Sequence, residues 1–202
     1  LTIFNDSGNP IYKIGAPGTP AWQLTSYTYN QLNQLDQVID PLGNTIDYSY
    51  DLHGNLAQII AHNGSQLQTT TYYYDDFGRL VASSSPDAGN TFYAYDLRNN
   101  LISKMDARGI AVGYRYDDLN RLTKIVFQND PDIEYTYDGS EPNSLARLVQ
   151  VQISAGPYPR SFSYQYDSRG NIISSIMTIE IQGTPSSFTT QYQYDADGNL
   201  TK

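Results

Sequence analysis

The sequence of 202 residues contains no cysteine, so it has neither a disulfide framework nor a thiolate metal site. Basic side chains are also few: 12 lysines and arginines stand against 21 acidic residues, for a formal net charge of −9. Because nucleic-acid affinity comes mainly from basic side chains, this balance disfavours nucleic acid as a partner. No apolar run approaches the roughly 20 residues of a membrane span, and the opening LTIFNDSGNP lacks the parts of a signal peptide.

Tyrosine is the abundant residue, with 19 copies against one tryptophan and six phenylalanines. Sixteen of them form eight Tyr-x-Tyr pairs, and the second members are 21, 24, 21, 21, 21, 29 and 28 residues apart. A unit of about 21 residues with occasional insertions explains this spacing. The paired tyrosines are Tyr27, Tyr29, Tyr48, Tyr50, Tyr72, Tyr74, Tyr93, Tyr95, Tyr114, Tyr116, Tyr135, Tyr137, Tyr164, Tyr166, Tyr192 and Tyr194.

Each unit predicts two β-strands joined by turns, because tyrosine, threonine, valine and isoleucine runs alternate with glycine, asparagine and aspartate. An aspartate follows seven of the pairs: Asp51, Asp75, Asp96, Asp117, Asp138, Asp167 and Asp195. Three residues after the aspartate position comes a glycine or asparagine, in the seven uninterrupted copies: Asn33, Gly54, Gly78, Asn99, Asn120, Gly170 and Gly198. This pattern favours a three-residue hairpin loop, which we call the near turn, whose third residue is left-handed.

The predicted loop sets the cross-strand register. If Asp117 and Arg121 close the loop, Tyr116 lies opposite Leu122, and every other uninterrupted copy likewise places a leucine or isoleucine opposite the second tyrosine. Strict alternation then puts both tyrosines of a pair on one face and the central residue on the other. It also predicts that Val81, Ile102, Ile125 and Ile173 face away from the tyrosines.

The phrase Tyr-x-Tyr-Asp-x-x-Gly-Arg-Leu at this spacing resembles the YD repeat of Rhs proteins, ABC-type toxin complexes and animal teneurins. The resemblance extends from about Tyr27 to Leu200, with departures at Asn30, at three asparagine turns and in the interrupted sixth copy. It implies an all-β fold, a repetitive antiparallel hairpin meander of roughly sixteen strands that curls as part of a spiral β-shell. We interpret residues 1–202 as a single array of about eight repeats, an excerpt of a longer protein.

The resemblance further implies the wall of a shell that encloses a C-terminal toxin in a secreted or cell-surface bacterial protein. Its partners would be the remainder of that shell and the enclosed toxin. The family's core region, which closes the shell and cleaves off the toxin, has no counterpart here. The segment DPLG at 40–43 is interpreted as an ordinary turn rather than a cleavage element.

The residues themselves indicate no catalytic site, no metal site and no cofactor. His53 and His62 are interpreted as solvated turn residues, since neither has a nucleophile at a useful spacing. Asp195 and Asp197 begin a calcium-loop pattern, but the chain leaves no room for its twelfth position.

The alternative of a different class is a carbohydrate-binding or cell-adhesion module of a surface protein, with glycans as partners. Tyrosine rings stack on sugars, yet rows of tyrosine beside leucine favour a structural role. Aromatic choline-binding repeats depend on tryptophan, and this chain has only Trp22. The predicted function is therefore that of a non-catalytic structural repeat.

Overall fold

The computed structural model describes residues 1–15, 24–64 and 66–202, so Trp22 lies outside the described residues. The described part contains seventeen β-strands, which pair antiparallel with their neighbours in the chain. The prediction of an all-β hairpin meander is thus confirmed. No helix in this part of the chain is long and apolar enough to cross a membrane.

The chain divides into two compact units, and the first comprises Leu1–Tyr93 with Asp106–Arg108. Its strands are short and joined by tight turns. They are β1 (Thr2–Phe4), β2 (Pro10–Ile14), β3 (Leu24–Tyr29), β4 (Leu35–Ile39), β5 (Thr45–Tyr50), β6 (Leu56–Asn63), β7 (Gln66–Tyr74), β8 (Leu80–Ser85) and β9 (Gly89–Tyr95, through Tyr93).

The second unit comprises Ala94–Met105 and Gly109–Lys202. Its strands are β10 (Leu101–Met105), β11 (Ala111–Tyr116), β12 (Leu122–Phe127), β13 (Ile133–Tyr137), β14 (Leu148–Ile153), β15 (Arg160–Tyr166), β16 (Ile172–Ile181) and β17 (Thr184–Gln191). Our interpretation of the whole chain as one repeat array stays a prediction.

The two faces of the sheet differ in exposure. In all eight Tyr-x-Tyr pairs the two tyrosines are half-buried and the central residue is exposed, as alternation requires. No apolar side chain among the described residues is fully buried. Tyr95 is likewise half-buried rather than buried, because a single-layer sheet covers each side chain only by its neighbours.

The predicted register between the second tyrosine and the following aliphatic residue is confirmed where pairing is described. Tyr116 lies opposite Leu122, and equivalent partners recur in other hairpins. These are Tyr29 with Leu35, Tyr50 with Leu56, Tyr74 with Leu80, Tyr166 with Ile172 and Tyr194 with Leu200.

A β-bulge beside each of these pairs changes the faces of the next residues. Arg115 lies opposite Lys124 while Tyr116 lies opposite Leu122, so Thr123 is the extra residue. Ile125 consequently lies opposite Tyr114 and on the same face. The expectation that Ile125 faces away from the tyrosines is wrong, because strict alternation ignored the bulge.

Val81 and Ile173 are themselves the extra residues of the equivalent bulges at Tyr74 and Tyr166. The face that strict alternation predicted for them therefore does not follow.

Candidate functional site

The motif aspartate builds the near turn with its own carboxylate. Oδ1 of Asp117 accepts hydrogen bonds from the main-chain N–H groups of Leu119 and Arg121, both at 2.9 Å. The N–H of Asp117 donates to the carbonyl of Arg121, and that of Asn120 donates to the carbonyl of Asp117, each at 3.0 Å. One side chain thus satisfies two loop donors, which explains aspartate at this position.

The third loop residue is left-handed in all seven uninterrupted copies. Asn120 has a φ of 60°, a conformation that asparagine tolerates better than branched residues. The remaining values are 63° for Asn33, 86° for Gly54, 74° for Gly78, 67° for Asn99, 92° for Gly170 and 85° for Gly198.

These hydrogen bonds favour the ionised carboxylates. The pKa of Asp51 is lowered, chiefly by the side-chain hydrogen bond from Asn55 and then by main-chain N–H donors. For Asp117 the main-chain donor Arg121 is the largest cause of the lowered pKa. A hydrogen bond from the side chain four residues later is the largest cause of a lowered pKa at Asp75, Asp96, Asp167 and Asp195.

Asn30, which stands where other copies have aspartate, keeps the same turn with an amide. Its Oδ1 accepts from the N–H groups of Leu32 and Gln34, at 2.9 and 3.0 Å. Its Nδ2 donates to Oε1 of Gln34 at 2.9 Å, where an aspartate would accept instead. The departure at Asn30 is therefore matched by a glutamine with an acceptor oxygen at the right place.

In seven of the eight pairs, the second tyrosine connects its repeat to the previous one; the bond of Tyr29 is described below with the first hairpin. In the first unit, the hydroxyl of Tyr50 donates to the carbonyl of Leu35 at 2.9 Å, and that of Tyr74 to the carbonyl of Leu56 at 3.0 Å. The second unit repeats the bond as Tyr116 to Leu101, Tyr137 to Leu122, Tyr166 to Leu148 and Tyr194 to Ile172. We call these bonds together the tyrosine ladder and each single bond a rung.

The ladder explains why the repeat carries tyrosine rather than phenylalanine. A half-buried strand carbonyl receives a donor from the next repeat, while the ring covers the intervening aliphatic residues. Burial is the largest cause of a raised pKa at the ladder tyrosines Tyr29, Tyr50, Tyr74, Tyr116, Tyr137 and Tyr166. The sequence showed the spacing of these residues but not the bond, because the bond crosses between repeats.

A ninth near turn lies at the start of the chain, where no tyrosine pair marks it. Asn5 Oδ1 accepts from the N–H groups of Ser7 and Asn9, and Gly8 has a φ of 80°. The hydroxyl of Tyr29 donates to the carbonyl of Pro10 at 2.9 Å, so Pro10 takes the place of the motif leucine. The phrase NDSGN was the signal that could have identified this hairpin.

The interrupted sixth copy is held by Arg121. Its guanidinium lies 2.7 Å from the carboxylate of Asp117 and 2.6 Å from that of Asp138 in the next repeat. It also lies over the ring of Tyr137, 4.5 Å from the centroid. The hydrogen bonds that Arg121 donates to Asp138 and Asp117 raise its pKa, so it stays charged.

The inserted loop closes through its own residues. Ser144 is only 3% exposed, and its hydroxyl donates to the carbonyl of Gly139. The N–H of Asp138 donates to the carbonyl of Arg147 at 3.1 Å, which restores the hairpin closure after the insertion.

The residues considered for chemistry are dispersed. His53 lies exposed in its near turn, whereas His62 lies in strand β6 with Nε2 2.6 Å from Oδ2 of Asp47. The interpretation of His62 as a solvated turn residue is therefore wrong, because β6 continues through His62 to Asn63. No cluster of three or more metal-ligating side chains occurs in the described ranges.

The segment at 40–43 is a turn of the same kind as the near turns. Asp40 Oδ1 accepts from the N–H groups of Leu42 and Asn44, and Gly43 has a φ of 84°. Its carboxylate is engaged by its own loop, as are those of the motif aspartates.

The near turns, their spacing and the tyrosine ladder together describe a repeat-built wall. The family model of the teneurin YD-shell matches residues 18–150, about two thirds of the chain. The chain belongs to the teneurin YD-shell family. A search of curated proteins finds no match.

Solved structures of toxin complexes share the fold. The TcdB2-TccC3 structure without the hypervariable C-terminal region matches with a TM-score of 0.73 at 17% identity over 98% of this chain. TcdB2-TccC3-Cdc42 gives 0.71 at 17% identity over 96%. A mutant Tc holotoxin pore from Photorhabdus luminescens gives 0.69 at 20% identity over 85%. This chain spans only 12%, 12% and 10% of those three chains, in that order.

Proposed function

We propose that this segment is part of the wall of an Rhs-type β-shell that encloses a C-terminal toxin in a secreted or cell-surface bacterial protein. The observation that carries the proposal is the tyrosine ladder. Each rung joins a hairpin to the previous one through a main-chain carbonyl, so the repeats within a unit join into one sheet. Such a sheet is what a wall needs, and more than about ten twisted strands favour curling.

The wall has no catalytic role in this proposal. The carboxylates recur in seven of the eight repeats and are engaged by their own loops, as at Asp51 and Asp117. A catalytic carboxylate instead needs a cleft and a partner with a different pKa. The partners of the segment are then the rest of its shell and the enclosed toxin domain.

Protease protection of the full-length parent protein tests the proposal. If the wall encloses the C-terminal domain, that domain resists a protease while the wall is intact. The double variant Tyr116→Phe with Tyr137→Phe removes two rungs, so it should make the domain cleavable. Tyr114→Phe is the matched control, because it lies on the same strand and face but contributes no rung. A C-terminal domain that is cleaved equally in all three proteins would overturn the proposal.

The alternative of a carbohydrate-binding or adhesion module stays a prediction from the sequence. A glycan array separates it from the wall, since a wall segment should bind no glycan specifically.

A further inference from the structure

On the face opposite the motif tyrosines, the central residue of each pair begins a row of three directly opposed side chains. We call these sets central rows. Five of them are wholly polar in the described residues: Thr28–Gln37–Asp47, Ser49–Gln58–Thr71, Arg115–Lys124–Glu134, Thr136–Gln150–Ser163 and Gln165–Ser174–Gln191. Some bond internally, as Gln37 does to Asp47 at 2.7 Å and Lys124 to Glu134 at 2.8 Å.

The row of Tyr73, Ala82 and Phe92 departs from this pattern at all three positions. Tyr73 lies opposite Ala82, and Ala82 lies opposite Phe92. Tyr73 is 54% exposed and Phe92 is 46% exposed, whereas the other five rows carry polar residues at these positions. Alanine, the smallest residue at the middle position of the described central rows, lies between them. We call this row the aromatic notch.

A methyl group is the only side chain at the middle position of the notch. Tyr73 and Phe92 lie two strands apart, about 9.5 Å at the main chain, with only a methyl group on the intervening strand. A ligand held between two rings contacts both, which a glutamine or lysine at the middle position would prevent. The next row toward the far turn, Thr71–Ser84–Asn90, adds polar groups beside the notch.

The charge around the notch favours a cation. Residues 1–93 contain eight aspartates, no glutamate, and only Lys13 and Arg79 as basic residues. Residues 106–108, which complete this unit, add Asp106 and Arg108, which form an ion pair with each other at 2.6 Å. Arg79 is already engaged, since its guanidinium lies 2.7 Å from Asp75 and over the ring of Phe77. Asp76 and Asp87 are exposed in the turns at opposite ends of the three strands. This surface therefore attracts cationic ligands, because it carries few basic side chains of its own.

From these observations we infer that the aromatic notch binds an arginine side chain from a basic peptide segment of a partner. A guanidinium is flat, stacks on aromatic faces and gains from the negative surface. A neutral sugar or a proline-rich peptide would contact the rings but would gain nothing from the eight aspartates. The inference concerns the face away from the tyrosine ladder and does not depend on what the wall encloses.

Binding of short peptides to the full 202-residue chain tests the inference. The probe is a fluorescein-labelled peptide with three arginines spaced by glycine and serine; the matched peptide carries citrulline, which has the same shape without the charge. We expect the citrulline peptide to bind at least about fivefold more weakly, as the loss of a cation–π contact and of the charge implies.

Three variants place the binding at the notch. Tyr73→Thr, Ala82→Gln and Phe92→Ser each introduce a residue that other repeats carry at the same position, so the hairpins should still fold. Each should weaken the arginine peptide at least about fivefold. Tyr158→Thr removes a tyrosine that is 53% exposed elsewhere, and it should leave affinity unchanged. Circular dichroism confirms that every variant is folded.

Several outcomes overturn the inference. Equal affinity of the arginine and citrulline peptides would show that charge plays no part. Unchanged affinity in Tyr73→Thr and Phe92→Ser would place the peptide elsewhere on the acidic surface. Binding of cellohexaose or of a proline decamer, but not of the arginine peptide, would assign the notch to another ligand class. If no probe binds, the notch does not bind the proposed ligand and the inference is rejected.

Discussion

The hydroxyl of Tyr137 donates a hydrogen bond of 3.1 Å to the main-chain carbonyl of Leu122, which lies fifteen residues earlier in the chain. Leu122 in turn lies opposite Tyr116 of the preceding repeat. One tyrosine therefore bonds to the main chain of the previous hairpin at the residue that pairs with that hairpin's own tyrosine. The bond recurs at a constant position in the repeat. It therefore explains why this position carries tyrosine, which hydrophobic packing alone does not explain.

Removal of one rung should destabilise the chain measurably. Tyr116→Phe leaves the carbonyl of Leu101 without its donor, so we expect a loss of about 1 kcal/mol in the free energy of unfolding. Urea unfolding followed by circular dichroism measures it. Tyr114→Phe, on the same face, should lie within a few tenths of a kcal/mol of the parent. Equal losses in both variants would mean that the ladder bond contributes nothing specific.

The left-handed loop residue predicts opposite effects of two substitutions. Asn120→Gly should be neutral or mildly stabilising, because glycine adopts a φ of 60° without strain. Asn120→Val should cost about 1 kcal/mol or more, since a β-branched residue is strained there. Equal unfolding midpoints for the two variants would contradict the loop geometry.

Acid should weaken the fold through the near turns. The folded-state pKa of Asp51 and of its equivalents is lowered, so their contribution is complete above the unfolded value of about 3.9 and is lost as the pH falls through the folded value. We expect the urea midpoint to fall as the pH is lowered from 5 toward 2. A midpoint that stays constant over this range would show that the carboxylates are not coupled to folding.

A matched pair of substitutions assigns this acid dependence to a turn. Asp51→Asn with Asn55→Gln reproduces the amide pair of Asn30 and Gln34, which has no carboxylate to protonate. The double variant should lose less stability than the parent between pH 5 and pH 2. Asp6→Asn, which changes an exposed loop carboxylate, serves as the control.

Arg121 should control the inserted loop of the sixth repeat. Arg121→Gln breaks the links to Asp117, Asp138 and the ring of Tyr137, so residues 139–146 should become more susceptible to limited proteolysis. Arg108→Gln removes a more exposed ion pair with Asp106 and should have no such effect. Cleavage of this loop at the same rate in both variants would contradict the role of Arg121.

The sequence predicted what local chemistry determines. The hairpin register of Tyr116 with Leu122 followed from loop length and turn residues, because such loops admit few geometries. The position of Ile125 did not follow, since the bulge at Thr123 shifts the alternation by one residue and leaves no mark in a pattern of apolar residues. The hairpin at Asn5 carries no tyrosine pair, so only its turn residues mark it in the sequence.

The tyrosine ladder and the aromatic notch lay beyond sequence reasoning for a different reason. Both depend on which residues of separate strands lie side by side, as Tyr137 does with the carbonyl of Leu122 and Phe92 with Ala82. Once the bulges are placed, the register of each hairpin gives these neighbours directly.

An electron cryomicroscopy reconstruction of the full-length parent protein tests the central claim most directly. Our account predicts that the near turns of this segment form part of a closed wall, with the half-buried tyrosine rows running from repeat to repeat and a separate domain enclosed by that wall. A reconstruction that shows these repeats as an open sheet enclosing nothing, or as a lobe with a substrate-binding cleft, would contradict it.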